Sequence, residues 1–395
     1  MAGAGLEDIV AGQTSISTID GKRGVLTYRG ISIHEMADNS SFEETVFLLW
    51  YGHLPKAGEL QDFKNSISRE TILEPRVADW LKSLPKDANP MSLLRTGVSL
   101  LGLADPEEGA SVSPEPWKDG FRYMGQLVPG APGYGRDHPQ SRKAIRLMGR
   151  MTALVPAIQR VMKGQDFVEP RSGASVAFNF LRCLNGSDPD EGGEKIFDKC
   201  LILHADHEFN ASTFTARVAC ATLSDLHSCI VAAIGALKGP LHGGANTEVM
   251  HMLLEVKEPS GAKAWVKDAL EKKKKIMGFG HRMYKTEDPR ATHLRRMSES
   301  LCAKVGQPAW YEMSRLIEEA MWELKAIKPN VDFYSASVYY CMGIDPEMFT
   351  PIFALSRLSG WTAHIFEQQS NNRLIRPVGE WVGPQEAHWE PMDKR

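Results

Sequence analysis

Two histidines in this sequence are framed by glycine. His242 lies within Gly239-Pro-Leu-His-Gly-Gly-Ala-Asn246, and His281 directly follows Gly278-Phe-Gly280. Glycine removes side-chain bulk and lets a ligand approach both an imidazole and the neighbouring backbone. The spacing around His242 equally suits a helix C-cap and an ordinary turn, so both readings stay open. Asp332 stands between Val331 and Phe333, where poor solvation raises a carboxyl pKa toward what a general base needs. Locally, it reads better as the N-cap of a helix over 334–342. Arg357 and Arg376 have apolar neighbours, among which a guanidinium wants a bidentate carboxylate or phosphate. Arg290 ends a cationic run that begins at Arg282 and passes Lys285. In combination these residues point to proton abstraction from a carbon acid with anionic partners. Neutral histidines would donate hydrogen bonds to an enolate and a ketone oxygen, arginines would clamp carboxylates, and the aspartate would take the proton.

Other clusters carry less. His204 and His207, flanked by Asp206 and Glu208, read as sharing a helix face. A metal site needs three or four convergent ligands, and no Cys/His spacing supplies them, so no metal is expected. Lys272 to Lys275 read as a helix C-terminus complementing its dipole, with a phosphate-bearing ligand at that end as the alternative. Gly278-Phe-Gly280 begins a GxGxxG, but Met283 occupies the last glycine position and no βαβ pattern precedes it. Walker, GxSxG and HExxH motifs do not occur.

The elements that must position these side chains are mostly helical. Residues 14–19 alternate, Asp20-Gly21 and Gly24 punctuate, and residues 25–28 resume, which predicts an N-terminal β-hairpin. Helical stripes follow: Phe42, Val46, Leu49 and Trp50 behind Ser40 or Ser41; Leu147 to Val161, kinked at Pro156; Trp310 to Leu324; and a further helix from Met348. More than a dozen helices and almost no further strand are expected, a mainly α protein. The Pro- and Gly-rich stretch 105–139 reads as a long functional or mobile loop.

A chain of 395 residues suggests two or three domains at about 150 residues each. Lys and Arg number 46 against 49 Asp and Glu, a net charge of −3, which disfavours nucleic acid or an anionic membrane as the main partner. No run of 18 apolar residues occurs that could span a bilayer. Six cysteines are scattered without CxxC spacing. With no targeting pattern read at either end, reduced thiols in a cytoplasmic protein are expected.

Six segments in order, HADHE-x-NAS from 204, GPLHGGAN from 239, GFGHRxYKxxDPR from 278, NVDFYS from 330, SRxxGWxAHxxEQ from 356 and NRLIRP from 372, resemble the citrate synthase family. The N-terminal GLEDIVAGQTSIS and ETVFLLWYG are similar to its shorter bacterial and archaeal form. The resemblance implies an all-helical homodimer with a large domain at 1–243 and 344–395 and a small closing domain at 244–343. It implies condensation of acetyl-CoA with oxaloacetate, then hydrolysis of citryl-CoA; 2-methylcitrate synthesis from propionyl-CoA is the alternative. A non-catalytic helical scaffold descended from the family is the alternative of another class. Asp332 would be the base, His242 would stabilise the enolate, and His281, assisted by His207, would polarise the ketone. Arg290 and Arg357, with Arg376 from the second subunit, would bind carboxylates. Lys285, Lys275 and the backbone at Gly278 and Gly280 would meet the CoA phosphates, and no permanently bound cofactor is implied. Residues 107–139 hold more Pro and Gly than short members usually have, and Val378 and Ala387 stand where many carry arginine.

Overall fold

The computed structural model describes residues 5, 9–109, 122–123, 126–127 and 137–395. The expected hairpin is present as β1 (Ser17–Asp20) against β2 (Val25–Tyr28), with Ser17 opposite Tyr28. A third short strand, β3 (Ile31–Ser32), adds to it; two residues are too few for alternation to reveal. Apart from a two-residue pairing of Arg122–Tyr123 with Gln126–Leu127, the rest of the expected 105–139 loop lies largely outside the described residues.

Sixteen α-helices follow among the described residues. The first eight are α1 (Ile33–Asn39), α2 (Phe42–Tyr51), α3 (Ala57–Glu70), α4 (Pro75–Lys82), α5 (Pro90–Gly102), α6 (Pro139–Met162), α7 (Val176–Asn185) and α8 (Glu191–His204). The rest are α9 (Ala211–Ala221), α10 (Leu226–Leu237), α11 (Ala245–Val256), α12 (Ala262–Glu271), α13 (Pro289–Lys304), α14 (Ala309–Lys325), α15 (Val331–Cys341) and α16 (Phe349–Ser370). The mainly α expectation holds. Ser41 caps α2 by accepting from the Glu44 amide, with acidic residues in the first turn as the helix dipole favours. α6 runs through Pro156.

α16 is the axis of the larger body. Twenty-one of its residues, Phe349 to Gln369, are buried, which a helix tolerates only when apolar contacts surround it. Two of its serine hydroxyls are satisfied by backbone: Ser356 Oγ donates to Leu201 O at 2.5 Å and Ser359 Oγ to Ala205 O at 3.2 Å. Gly360 is required where α16 meets the end of α8, since a Cβ there would lie 2.3 Å from Asp206 Oδ1. That close approach seats the turn bearing His207.

A buried polar network ties the N-terminal sheet to the same place. Asp206 accepts from Ser17 Oγ at 2.5 Å and the Glu208 amide at 3.2 Å, and faces His364 Nε2 at 3.4 Å. Arg217 and Glu367 pair at 2.7 Å, and Glu367 accepts from the Ser15 amide at 2.7 Å. Helices α11 to α15 pack on one another, with α13 also meeting α1 and α8.

Candidate active site

Five of the seven acid, base and arginine positions singled out from the sequence lie at helix ends or the turns between helices. His207 follows α8, His242 joins α10 to α11, His281 precedes α13, and Arg290 and Asp332 lie in the first turns of α13 and α15. Arg357 alone sits mid-helix, in α16. Arg376 is exposed on the extended tail after it. The expectation that His204 and His207 share a helix face is wrong. α8 ends at His204, whose Nδ1 lies 2.8 Å from Cys200 O, while His207 belongs to the following turn, where Glu208 takes a left-handed φ of 50°.

The local reading of Asp332 as an N-cap also fails. Asn330 is the cap: its side chain accepts from the Asp332 amide at 3.0 Å. Capping consumes a side-chain oxygen, and Asn330 does it, so the Asp332 carboxylate is free for other work. Burial pushes that carboxyl up to about 6, against the pull of Arg290 and Arg357 and with the help of Asp288. A carboxylate so tuned is chemically suited to accept a proton near neutrality.

The two glycine-framed histidines are neutral donors. His242 Nε2 accepts from the Ser212 amide at 3.3 Å and lies 2.8 Å from Ser212 Oγ, which leaves the proton on Nδ1. Burial, with Arg357 adding to it, lowers His242 to about 4. His281 Nδ1 accepts from the Met283 amide at 3.0 Å and the Tyr284 amide at 3.4 Å, so Nε2 carries its proton. Burial and Arg290 lower His281 to about 4. The His207 ring lies 5.0 Å from that of His281, its Nε2 is 3.2 Å from the Tyr284 hydroxyl, and burial drives it well below the usual range.

Both internal arginines are buried. Arg290 donates from Nε and Nη2 to both oxygens of Asp288, at 2.9 and 2.7 Å. Asp288 Oδ2 also accepts from the Val331 amide at 3.1 Å, one residue before the base. Arg357 Nε donates to His204 O at 2.8 Å and its guanidinium lies over the Phe353 ring. No ion pair holds Arg357 among the described residues, and burial lowers it to about 10. A buried guanidinium is suited to bidentate recognition of a carboxylate or phosphate. Arg357 reaches His242 and Asp332 electrostatically, and Arg290 reaches His281 and Asp332. These groups therefore occupy one field.

The loop bearing His281 is docked by its glycines. Gly278 has φ of 82°, and a Cβ there would meet Val249 Cγ2 at 2.7 Å and Phe333 at 2.9 Å. Gly278 O accepts from the Asn330 amide at 2.9 Å, Gly280 O from Asn330 Nδ2 at 2.9 Å, and the Gly280 amide donates to Lys328 O at 3.0 Å. Lys275 and Lys285 are exposed, and the Lys285 amide donates to Gly21 O at 2.8 Å.

Sequence reasoning passed over Ser212, Tyr284 and Asp288. Only Asp288 left a signal, the Asp-Pro pair that opens a helix; its second task of holding a guanidinium two residues on needs coordinates.

The family model described as citrate synthase, C-terminal domain, matches residues 5–378. The chain belongs to the citrate synthase family. It is 48% identical to citrate synthase 2 of Bacillus subtilis (strain 168) over 99% of this chain and 98% of that one. It is 39% identical to the 2-methylcitrate synthase of Shewanella oneidensis over 97% and 95%. The citrate synthase of the archaeon Thermoplasma acidophilum, solved as a ternary complex with carboxymethyl coenzyme A and oxaloacetate, superimposes with a TM-score of 0.86 at 32% identity, covering 99% of this chain and 98% of that one. The chain is thus an enzyme, an acyltransferase of citrate synthase type with the family's all-helical fold, and the scaffold alternative falls away.

Proposed function

We propose that this chain condenses acetyl-CoA with oxaloacetate and hydrolyses the resulting citryl-CoA to citrate and CoA. Asp332 removes a methyl proton from the thioester while His242 Nδ1–H donates to the thioester oxygen, which gains enolate charge. The carbon so formed attacks the ketone of oxaloacetate, whose oxygen accepts from His281 Nε2–H and takes up a proton. Arg290 and Arg357 hold the carboxylates, and His207, beside Tyr284, completes the polar wall. Water then cleaves the thioester, releasing CoA. The observation that carries this reading is the opposed tuning: an unengaged aspartate raised to about 6 in the field of two arginines, beside histidines held neutral with one N–H each to give.

The working unit in this proposal is a cytoplasmic homodimer with Arg376 supplied across the interface. Support comes from the tail, where Val378, Trp381, Val382 and Trp389 are 84, 74, 90 and 78% exposed, an apolar surface that wants a cover. The small domain, 244–343, closes on the larger body, expelling water and strengthening the histidine hydrogen bonds. Lys275, Lys285 and the backbone near Gly278 and Gly280 meet the CoA phosphates. Thiol release followed with acetyl-CoA plus oxaloacetate tests the activity. The Shewanella relative keeps propionyl-CoA as a second reading: one methylene is worth only about 1–3 kcal/mol. A higher kcat/KM for acetyl-CoA is expected, and a preference for propionyl-CoA would overturn that choice.

A further inference from the structure

Helices α13 and α15 carry two of the charged site residues on their first turns, and three polar rungs join them. At the N-terminal end Asp288 Oδ2 accepts from the Val331 amide at 3.1 Å. Midway, Ser298 Oγ and Ser337 Oγ lie 2.7 Å apart. Four residues further along both helices, Cys302 Sγ and Cys341 Sγ lie 3.4 Å apart. The last two rungs step by four residues on each helix, about 6 Å of rise, so the helices run parallel there. The first rung is offset, ten residues before Ser298 and six before Ser337, and Arg290 and Asp332 lie toward one end with the two thiols toward the other.

We propose that Cys302 and Cys341 are a peroxide-oxidisable dithiol, a modification site that reaches the active site through this helix pair. Cys341 is half-buried and Cys302 buried, so a small oxidant meets Cys341 first. Its sulfur displaces one oxygen of hydrogen peroxide: an S–O bond forms, the O–O bond breaks, and the departing hydroxide takes the thiol proton to become water. Cys302 then attacks the sulfenic acid, the S–S bond forms, and a second water leaves with the Cys302 proton. Two thiols are oxidised and one peroxide is reduced to two waters. Closing the gap from 3.4 Å to a disulfide length of about 2.05 Å moves the sulfurs together by roughly 1.3 Å, a change divided between side-chain rotation and approach of the two helices. A closely packed interior transmits strain instead of absorbing it, so the helices' share of the change reaches the opposite rung, where misplacement by about 1 Å costs roughly 100-fold and a fraction of it correspondingly less.

The test is intact mass and peptide mapping of the full-length enzyme after hydrogen peroxide, with thiol-release activity read alongside. Expected are the loss of two hydrogens, a Cys302–Cys341 cross-linked peptide, and a several-fold fall in turnover that dithiothreitol reverses. The variant Cys341→Ser should form no cross-link and keep its turnover under the same exposure. The mapping also discriminates against Cys220 and Cys229, fully buried thiols elsewhere in the fold. Both thiols remaining titratable, or a cross-link mapping elsewhere, would overturn the site. A clean cross-link with unchanged turnover, or equal losses in Cys341→Ser, would overturn its coupling to catalysis. The mass readout is independent of which thioester the enzyme uses.

Discussion

The buried arginine end of the site and its exposed rim are finished to different degrees by a single chain. Arg290 and Arg357 are 2 and 1% exposed, each held by its own buried partner, Asp288 or the His204 carbonyl. Lys275, Lys285 and Arg376 project from exposed segments. Where charge is buried, the fold must fix its direction in advance, because an unpaired ion away from water costs several kcal/mol. Where charge is exposed, water satisfies it and a ligand or second subunit can do the orienting. The difference predicts that substitutions in the buried half act on turnover and stability together, and those on the rim act on affinity alone.

The sharpest way to break that contrast is Asp332→Asn. Turnover should fall by at least about 1000-fold, near the upper reach of a lost general base, with the fold unchanged by circular dichroism. Stability should move the other way. The folded carboxyl titrates near 6 and the unfolded one near 3.8, so the folded state binds more protons between those values. Charged Asp332 therefore costs stability above pH 6, by up to about 3 kcal/mol for a shift of this size. The deficit fades as pH falls through 6 and is gone below about pH 4. At pH 7 the variant should melt above the parent, and the parent's kcat/KM should show an acid limb near pH 6. A variant that keeps turnover, or melts lower at pH 7, refutes the role.

Asp288→Asn, in the same pocket, should have the opposite stability sign. It leaves Arg290 buried without its counter-charge, and breaking such a pair costs about 3–5 kcal/mol, readable as a lower urea midpoint. Turnover should fall roughly 10- to 100-fold. Because Asp288 raises Asp332, any residual activity should carry its acid limb to lower pH; an unmoved limb would show the effect to be structural only.

How much of this was legible in the sequence divides along the same line. The glycine-framed histidines, the helices and the order of motifs are local patterns, and each was readable from spacing. That Asn330 and not Asp332 caps α15 was not readable locally, because both residue types are good caps and only the folded geometry shows which side chain accepts the amide. The combination of glycine-framed histidines, aspartate and arginines suggests proton abstraction, and the resemblance agrees with it. His204 and His207 looked alike in sequence; one is closed off against the Cys200 carbonyl and the other faces Tyr284, since α8 stops between them. Long-range pairings such as Ser212 with His242 span 30 residues and leave no periodic trace.

On the rim, Arg376→Ala should raise the KM for oxaloacetate roughly 10- to 100-fold, the worth of one charge-assisted contact of about 1.5–3 kcal/mol, while kcat and melting temperature stay near the parent's. A mixed dimer of Arg376→Ala with Asp332→Asn sharpens the point. If the arginine crosses the interface, one of the two sites in that mixture carries both defects and the other carries neither, so activity returns to about half. If both residues belong to one chain's site, the remaining half of the activity carries the raised KM of Arg376→Ala instead of the parent's KM, and that outcome would refute the shared site.

The smallest expected effect is Lys285→Ala. Its side chain is exposed and its amide is already spent on Gly21 O, so the fold does not depend on the ammonium group. A solvent-exposed ion pair is worth about 0.2–1 kcal/mol, so the KM for acetyl-CoA should rise by no more than about five-fold with kcat intact. Screening sharpens the reading: at high salt, where the Debye length shrinks toward about 3 Å, the parent should lose the same affinity and the two curves converge. A loss that persists in high salt, or falls on kcat, would move Lys285 from the rim into the buried half and blur the division between them.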